Sequence, residues 1–390
     1  MLRQALLYLM SGNEAIAHAV MDADVDVVAA YPITPQTTIV EKLSEYVASG
    51  MLDAEFVPVE SEHSALSVCL GASLTGARVF TATSSQGLAL MHEILYIASG
   101  LRTPIVMAIA NRALSAPINI HGDHSDIMGS RDAGWIQLFA ENPQQAYDFT
   151  LIAYRVAEDN RVMLPVAVNV DGFTVSHCYE GVRVLGKEDA RAFLPRTPRP
   201  RLEYETPITV GAMFSPMHYH VAKTEQAKAL ESSLNVVKEV FRSYPMREEG
   251  YDVVHAVNTD SPVMVVGLGG VMGTFRHLGR RMNVGVASLR LYRPFPAADL
   301  LPSIREAELI IVLDRAYSPG APAPPLAADI KTLLHTAGLQ TPVWSVVCGL
   351  GGHEIRLSMA EKLLQKALKA VREGAGANIS FYLGEEVNTP

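Results

Sequence analysis

"AAYPITPQTT", residues 29–38, closes an apolar run with two prolines and a cluster of hydroxyl side chains. Pro32 and Pro35 cannot donate to a sheet ladder, and each holds the residue before it extended. Thr34 is expected to cap a helix over 36–48 whose first position is Pro35. A strand end, a rigid turn and a helix start thus follow one another, the place where open α/β proteins bind ligands. The same residues would also serve as nothing more than a stiff connection.

Similar strand-like runs recur on both sides of this stretch. FVPVE (56–60), ARVFTAT (77–83), PIVMAIA (104–110) and LPVAVNVD (164–171) join DVVAAYPI (26–33). Helices are expected at 62–75, 86–100 and 144–158, with another from Gly12 to Ala23 behind an N-terminal lead-in. Near-continuous apolar strands alternating with helices predict a parallel sheet covered on both faces. A second α/β series follows: VMVVGLGG (263–270), VGVASLRLYRPFP (284–296), ELIIVLD (308–314), a helix near 324–337, PVWSVVCGLGG (342–352) and a helix over 354–372. The expected organisation is a first domain over 1–194, a linker with one long helix (about 222–243) over 195–258, a second domain over 259–373 and an arm over 374–390.

Bulk properties narrow the function. The chain has 390 residues, 49% hydrophobic and 19% charged, with a net charge of −9, which argues against nucleic-acid or anionic-membrane partners. Cys69, Cys178 and Cys348 lie far apart with no Cys-x-x-Cys, so neither a zinc site nor an iron–sulfur cluster is expected on this chain. The sparse cysteines fit a reducing compartment, here the cytoplasm. No segment approaches the roughly 18 unbroken apolar residues of a membrane span.

Four features carry candidate chemistry. GLGGVMG (267–273) follows a strand, but Met272 stands where a dinucleotide fingerprint needs its third glycine, so close strand–helix packing is favoured over a nucleotide. HGDHSD (121–126) gathers His121, Asp123, His124 and Asp126; an ordered loop is favoured over a metal site, and the expectation is no metal. Glu62, in PVESEHSAL, either complements a helix dipole or is a buried carboxyl placed for chemistry, and only one of Glu60 and Glu62 should face inward. Arg112, just past a strand end, suits a bound carboxylate or phosphate, with a structural ion pair as the alternative. No Gly-Asp-Gly…Asn pattern for magnesium and diphosphate occurs.

Taken together, GNEAIAHAV, YPITPQTT, ESEHSAL…GAS, TATSSQGLALM, NRALSAPINIHGDHSD, LYRPFP, VLDR and CGLGG resemble the α subunit of 2-oxoacid:ferredoxin oxidoreductases, most of all the pyruvate type. The resemblance implies a thiamine-diphosphate pyrimidine-binding domain followed by a transketolase C-terminal-like domain. It makes Glu62 the carboxyl at N1′ of the aminopyrimidine, where it supports the imino form that deprotonates C2. It gives Thr34, Arg112 and Asn119 to the substrate, and Pro32, Ile33, Ser85 and Gln86 to the cofactor. Asp123, His124 and Asp126 become residues that order the loop.

The same resemblance assigns diphosphate, Mg²⁺ and a 4Fe-4S cluster to a β subunit and further clusters to a ferredoxin-like δ subunit, with a γ subunit, coenzyme A and ferredoxin completing the system. It implies oxidative decarboxylation of pyruvate to acetyl-CoA and CO2. Branched 2-oxoacids such as 2-oxoisovalerate come second, and an oxalate enzyme or a non-catalytic assembly subunit are further alternatives. The glycine-rich segment of 2-oxoglutarate enzymes is absent where NRALSAPINI stands, which disfavours that substrate. SPGAPAPPLAADI (318–330) departs from the family after VLDR, leaving that loop's role in subunit or coenzyme A contacts open.

Overall fold

A computed structural model describes residues 6–197, 201–247, 251–374 and 376–384. One sheet has the spatial order Leu291–Arg293, Ile136–Ala140, Val166–Asp171, Ile105–Asn111, Val79–Thr83, Val27–Ala30, Glu55–Pro58. All its pairings are parallel except that of Leu291–Arg293, which runs antiparallel to Ile136–Ala140. The strands over 79–83, 105–111, 136–140 and 166–171 are buried along their whole length, as helix cover on both faces requires.

Val27–Ala30 lies between Glu55–Pro58 and Val79–Thr83, so the next two strands in sequence fall on its opposite sides. That reversal is a topological switch point, and its crevice opens where the carboxyl ends of Val27–Ala30 and Val79–Thr83 part. YPITP and SSQG are the segments that leave those two ends. The helix of this turn starts later than its sequence suggests, at Thr37. Gln36 N–H closes a turn onto the Ile33 carbonyl, so Gln36, not Thr34, occupies the cap, and it makes no side-chain capping bond.

The second sheet has the order Ile379–Tyr382, Val343–Val347, Leu309–Asp314, Val263–Leu268, Gly285–Leu289, Val254–Val257, parallel except for the last pair. Two elements here differ from expectation. Val254–Val257, read as linker, is an edge strand, and Ile379–Tyr382, read as arm, pairs with Val343–Val347. Residues 375 and 385–390 of that arm lie outside the described residues, as do 198–200 and 248–250 of the linker. The N-terminal lead-in is also a strand: Leu6–Ser11 pairs antiparallel with Tyr179–Val184.

Local chemistry explains the helix starts. Ser11 and Glu14 form a reciprocal capping box for Gly12–Asp22, with Ser11 Oγ accepting from Glu14 N–H at 3.3 Å and Glu14 Oε2 accepting from Ser11 N–H at 3.0 Å. The long helix runs over Pro216–Ser243, earlier than expected, because Ser215 caps it and Pro216 fits its first turn. The stretch expected as one helix over 86–100 is two, Ser85–Leu90 and His92–Gly100. An apolar core cluster joins both sheets, packing Ala65, Leu66 and Met107 together with Met264, Ile310 and Leu326. Among the described residues, no helix is long and apolar enough to cross a membrane.

Candidate active site

The turn after Val27–Ala30 is held by three side chains, Gln36 of the turn itself and Arg112 and Asn13 from elsewhere in the chain. Gln36 Nε2 donates to the Tyr31 carbonyl at 2.7 Å and to that of Ala82 at 3.2 Å. Arg112 Nη1 donates to the Thr34 carbonyl at 2.9 Å, and Asn13 Nδ2 donates to that of Pro35 at 2.7 Å. The prolines remove backbone donors, and these side chains then satisfy the exposed carbonyls. Pro32 and Thr34 are left exposed and Ile33 half-buried at the crevice.

Glu62 enters the same crevice from the first turn of helix Glu62–Leu74, whose cap is Ser61. The two neighbouring acids separate cleanly. Glu60 is exposed and bonded to the Ser64 hydroxyl, whereas Glu62 is only 7% exposed. No donor within the described residues meets the Glu62 carboxylate. Its Oε1 lies 2.6 Å from where a Cβ on Gly87 would stand, and Thr83 Oγ1 lies 2.5 Å from that point, so only glycine fits there. Thr83 Oγ1, Ser84 Oγ and Gln86 Nε2 are buried without a hydrogen-bond partner. Unsatisfied polar atoms are rare in protein interiors, and of these three Thr83 Oγ1 stands beside the carboxylate at Gly87.

Ser85 adopts a left-handed backbone, φ 49°. Its N–H donates to Asp126 Oδ2 at 3.0 Å, and the Arg112 N–H donates to the same oxygen at 2.9 Å. Asn111 Nδ2 donates to Asp126 Oδ1 at 3.0 Å. One buried carboxyl therefore ties the SSQG turn to the strand end that carries Arg112. Burial pushes this carboxyl up to about 6, opposed by the bonds from Arg112, Asn111 and Ser85. The Arg112 guanidinium itself is 7% exposed and meets no carboxylate among the described residues. Nε donates to the Asn119 carbonyl at 2.9 Å and Nη1 to Thr34, while Nη2 makes no hydrogen bond there. The ion-pair alternative for Arg112 therefore has no partner among the described residues.

The HGDHSD side chains diverge instead of converging. Asp123 accepts from Ser125 through Oδ1 and from Gly351 N–H through Oδ2 at 2.9 Å. His124 Nε2 stands 2.6 Å from Asp171 Oδ1, which also pairs with Arg315 Nη1 at 2.8 Å, and Asp171 Oδ2 accepts from Gly270 N–H at 2.7 Å. Burial would push the Asp171 carboxyl up, but Arg315 and His124 outweigh it and hold it well below the usual carboxylate range. Among the described residues no three His, Cys, Asp or Glu side chains gather as an ion site. Asp171, Arg315, Asn13 and Gln36 went unnoticed in the sequence. The one available signal was the acid closing LPVAVNVD at a strand end.

GLGGVMG is the other half of that cluster. Gly269 has φ 73°, and a Cβ there would stand 2.9 Å from Asp171 Oδ2, so the turn is glycine because a carboxylate of the first unit docks on it. Between the units a cleft of about 650 Å³ is lined by Ser115, Asn119, Ser125 and Arg131 on one side and by Tyr317 and Pro319 on the other. The divergent 318–330 segment thus borders this cleft and then enters helix Pro325–Thr336. Asp314 caps that helix, accepting from Leu326 and Ala327 N–H at 2.8 and 3.0 Å.

Residues 18–242 match the family described as "Pyruvate flavodoxin/ferredoxin oxidoreductase, thiamine diP-bdg", and residues 261–360 match "Pyruvate:ferredoxin oxidoreductase core domain II". The chain is 43% identical to the pyruvate synthase subunit PorA of Methanocaldococcus jannaschii, over 93% of its own length and 95% of the relative's. It is 42% identical to the ketoisovalerate oxidoreductase subunit VorA of Pyrococcus abyssi, over 94% of each chain. A 2-oxoglutarate:ferredoxin oxidoreductase from Magnetococcus marinus, solved with 2-oxoglutarate, coenzyme A and succinyl-CoA bound, shares the fold with a TM-score of 0.71 at 20% identity. That alignment covers 93% of this chain and 65% of the other. The chain belongs to the pyruvate flavodoxin/ferredoxin oxidoreductase family and contains its thiamine diphosphate-binding domain.

Proposed function

We propose that this chain is the α subunit of an enzyme that oxidatively decarboxylates pyruvate with coenzyme A, giving acetyl-CoA and CO2 and passing electrons to ferredoxin, reversibly. The observation that carries the reading is the buried, unpartnered Glu62 carboxylate against Gly87, at the same crevice as an Arg112 without a carboxylate partner. Similarity to pyruvate synthase subunits supports pyruvate, and similarity to ketoisovalerate oxidoreductase subunits keeps branched 2-oxoacids as the second reading.

The residues fit thiamine diphosphate. Buried Gln86 Nε2 and Thr83 Oγ1 lack partners, and Gly87 lets the Glu62 side chain pack directly against its backbone. When bound, the cofactor supplies a nucleophilic carbon and an electron sink for decarboxylation. Glu62 holds a proton at N1′ of its pyrimidine. Pro32 and Ile33 would line that ring, and Gln86, whose Oε1 accepts from the Ser85 hydroxyl, would offer Nε2 to it. Arg112 binds the substrate carboxylate through Nη2, its other nitrogens being fixed by backbone carbonyls, and the Thr34 hydroxyl shares that carboxylate. The chain lacks a diphosphate–magnesium motif and has three scattered cysteines, Cys69 and Cys348 buried and Cys178 exposed. The family resemblance assigns Mg²⁺, diphosphate and 4Fe-4S clusters to β and δ partner subunits, alongside γ, with ferredoxin as acceptor, and this chain's lack of such motifs is consistent with that assignment.

Purification tests this division directly. The chain alone should be colourless and poor in thiamine, and the complex with its native partners should be brown with stoichiometric thiamine. An iron–sulfur band in the isolated chain would overturn it. Steady-state rates should rank pyruvate first, branched 2-oxoacids next and 2-oxoglutarate far behind.

A further inference from the structure

Gly351 sits in the glycine loop that ends Val343–Val347, in the second unit, yet both of its polar backbone groups are gripped by the first. Its carbonyl accepts from Asn119 Nδ2 at 3.0 Å, and its N–H donates to Asp123 Oδ2 at 2.9 Å. Next to it, Gly352 N–H donates to the Gly122 carbonyl at 3.0 Å. Side chains are excluded from this contact. A Cβ on Gly351 would stand 2.5 Å from Asn119 Nδ2, and one on Gly352 would stand 2.4 Å from His121 Cβ. Both glycines have positive φ, 53° and 76°.

Asn119 is spent on this clasp. Its Oδ1 accepts from His121 N–H at 2.6 Å while Nδ2 reaches Gly351. Its backbone carbonyl, meanwhile, accepts from Arg112 Nε at 2.9 Å. A continuous path of hydrogen bonds therefore runs from the glycine loop of the second unit, through Asn119, to the guanidinium at the switch-point crevice. We propose that Asn119 is a positioning residue and does not itself touch substrate: clasped to Gly351, it fixes the carbonyl that aims Arg112 at the substrate carboxylate. The second unit thus sets substrate affinity in a crevice built by the first. This rests on the assignment of Arg112 to the 2-oxoacid carboxylate.

The distinguishing property of such a path is that its effect passes through Arg112. A planar guanidinium held at two nitrogens loses its aim when one acceptor drifts, which weakens binding without touching the cofactor. In the assembled complex, Asn119→Ala should raise the KM for pyruvate about three- to tenfold, with kcat within twofold and thiamine content unchanged. In an Arg112→Ala background, adding Asn119→Ala should change KM by less than twofold, because the group it aims is gone. Gly351→Ala, which pushes Asn119 aside through the second unit alone, should reproduce the rise and its dependence on Arg112. Tm of each complex and thiamine bound per chain are the controls, and Gly351→Ala carries the test if Asn119→Ala fails to assemble.

If Arg112→Ala raises KM but Asn119→Ala and Gly351→Ala do not, or if their effects multiply with that of Arg112→Ala, the relay is wrong and the carboxylate assignment stands. If Arg112→Ala itself leaves kcat/KM unchanged, the carboxylate assignment falls and the relay with it.

Discussion

Glu62 and Asp171 are both buried acids next to a glycine whose Cβ would strike them, yet their surroundings are opposite. Asp171 is met by Arg315, by His124 and by the Gly270 N–H. Glu62 is met by no donor within the described residues, and the Thr83 Oγ1 beside it is likewise unsatisfied. Removing a carboxylate from water is costly, and a fold repays that cost where the group serves architecture. At Asp171 the repayment is complete and joins two units. At Glu62 it is left open, as the proposed contact with the cofactor requires. A cluster of ligand-type residues such as HGDHSD says less about chemistry than the question of which acids remain unpartnered.

This contrast is most directly broken at Glu62. Glu62→Gln keeps the volume but cannot supply the carboxyl at N1′. Exchange of the cofactor's C2 proton in the complex should fall about a thousand-fold, ~4 kcal/mol, with Tm nearly unchanged. Exchange at the wild-type rate would make Glu62 a helix-dipole residue. Asp171→Asn should do the reverse. It leaves the Arg315 charge buried with no carboxylate, and stability in urea titrations should drop by about 3 kcal/mol. A loss below about 0.5 kcal/mol would remove Asp171 as the joint between the units.

Arg112→Ala comes next, at ten- to a hundred-fold in kcat/KM for pyruvate, equivalent to about 1.5–3 kcal/mol, with thiamine content and C2 exchange preserved. Arg112→Lys should recover only part of this, since an ammonium lacks the planar fork.

The smallest effect concerns pH. Asp148, which accepts from the Tyr244 and Tyr251 hydroxyls at 2.6 and 2.8 Å, is pushed up to about 6 by burial. Its folded value lies above its unfolded one, so its stabilisation is complete below about pH 4 and is lost as pH rises through 6. Asp171 has the opposite sign, contributing above about pH 4 and failing only in stronger acid. Asp148→Asn should flatten the decline in stability between pH 4 and 6 by roughly 1–2 kcal/mol. A decline that survives the substitution would assign it to other buried acids.

What could be read in the sequence follows from burial. Strands covered on both faces, such as Ile105–Asn111 and Val166–Asp171, carry continuous apolar runs and were legible. Leu6–Ser11, Tyr179–Val184, Val254–Val257 and Ile379–Tyr382 were not. They are exposed or edge strands whose identity depends on a partner far along the chain. Ile136–Ala140 is buried but short, and its outer neighbour arrives only at Leu291. Glu62 and Arg112 could be singled out as candidates, Glu62 in the first turn of a helix and Arg112 just past a strand end, and both lie at the switch-point crevice. Asn13 and Gln36 could not, because the carbonyls they hold come within reach only once the first unit has folded.

The strand Leu291–Arg293 has a consequence for the order of events on the ribosome. It is made after most of the second unit's first strands, yet it pairs along Ile136–Ala140 and closes the first unit's sheet. Until residue 293 has emerged, Ile136–Ala140 is a bare edge, with apolar residues and unpaired backbone groups open to any other chain. A gene fragment ending in the linker would leave that edge permanently uncovered. The chain therefore behaves in synthesis as a single object, its first half completed only when the second is already half made.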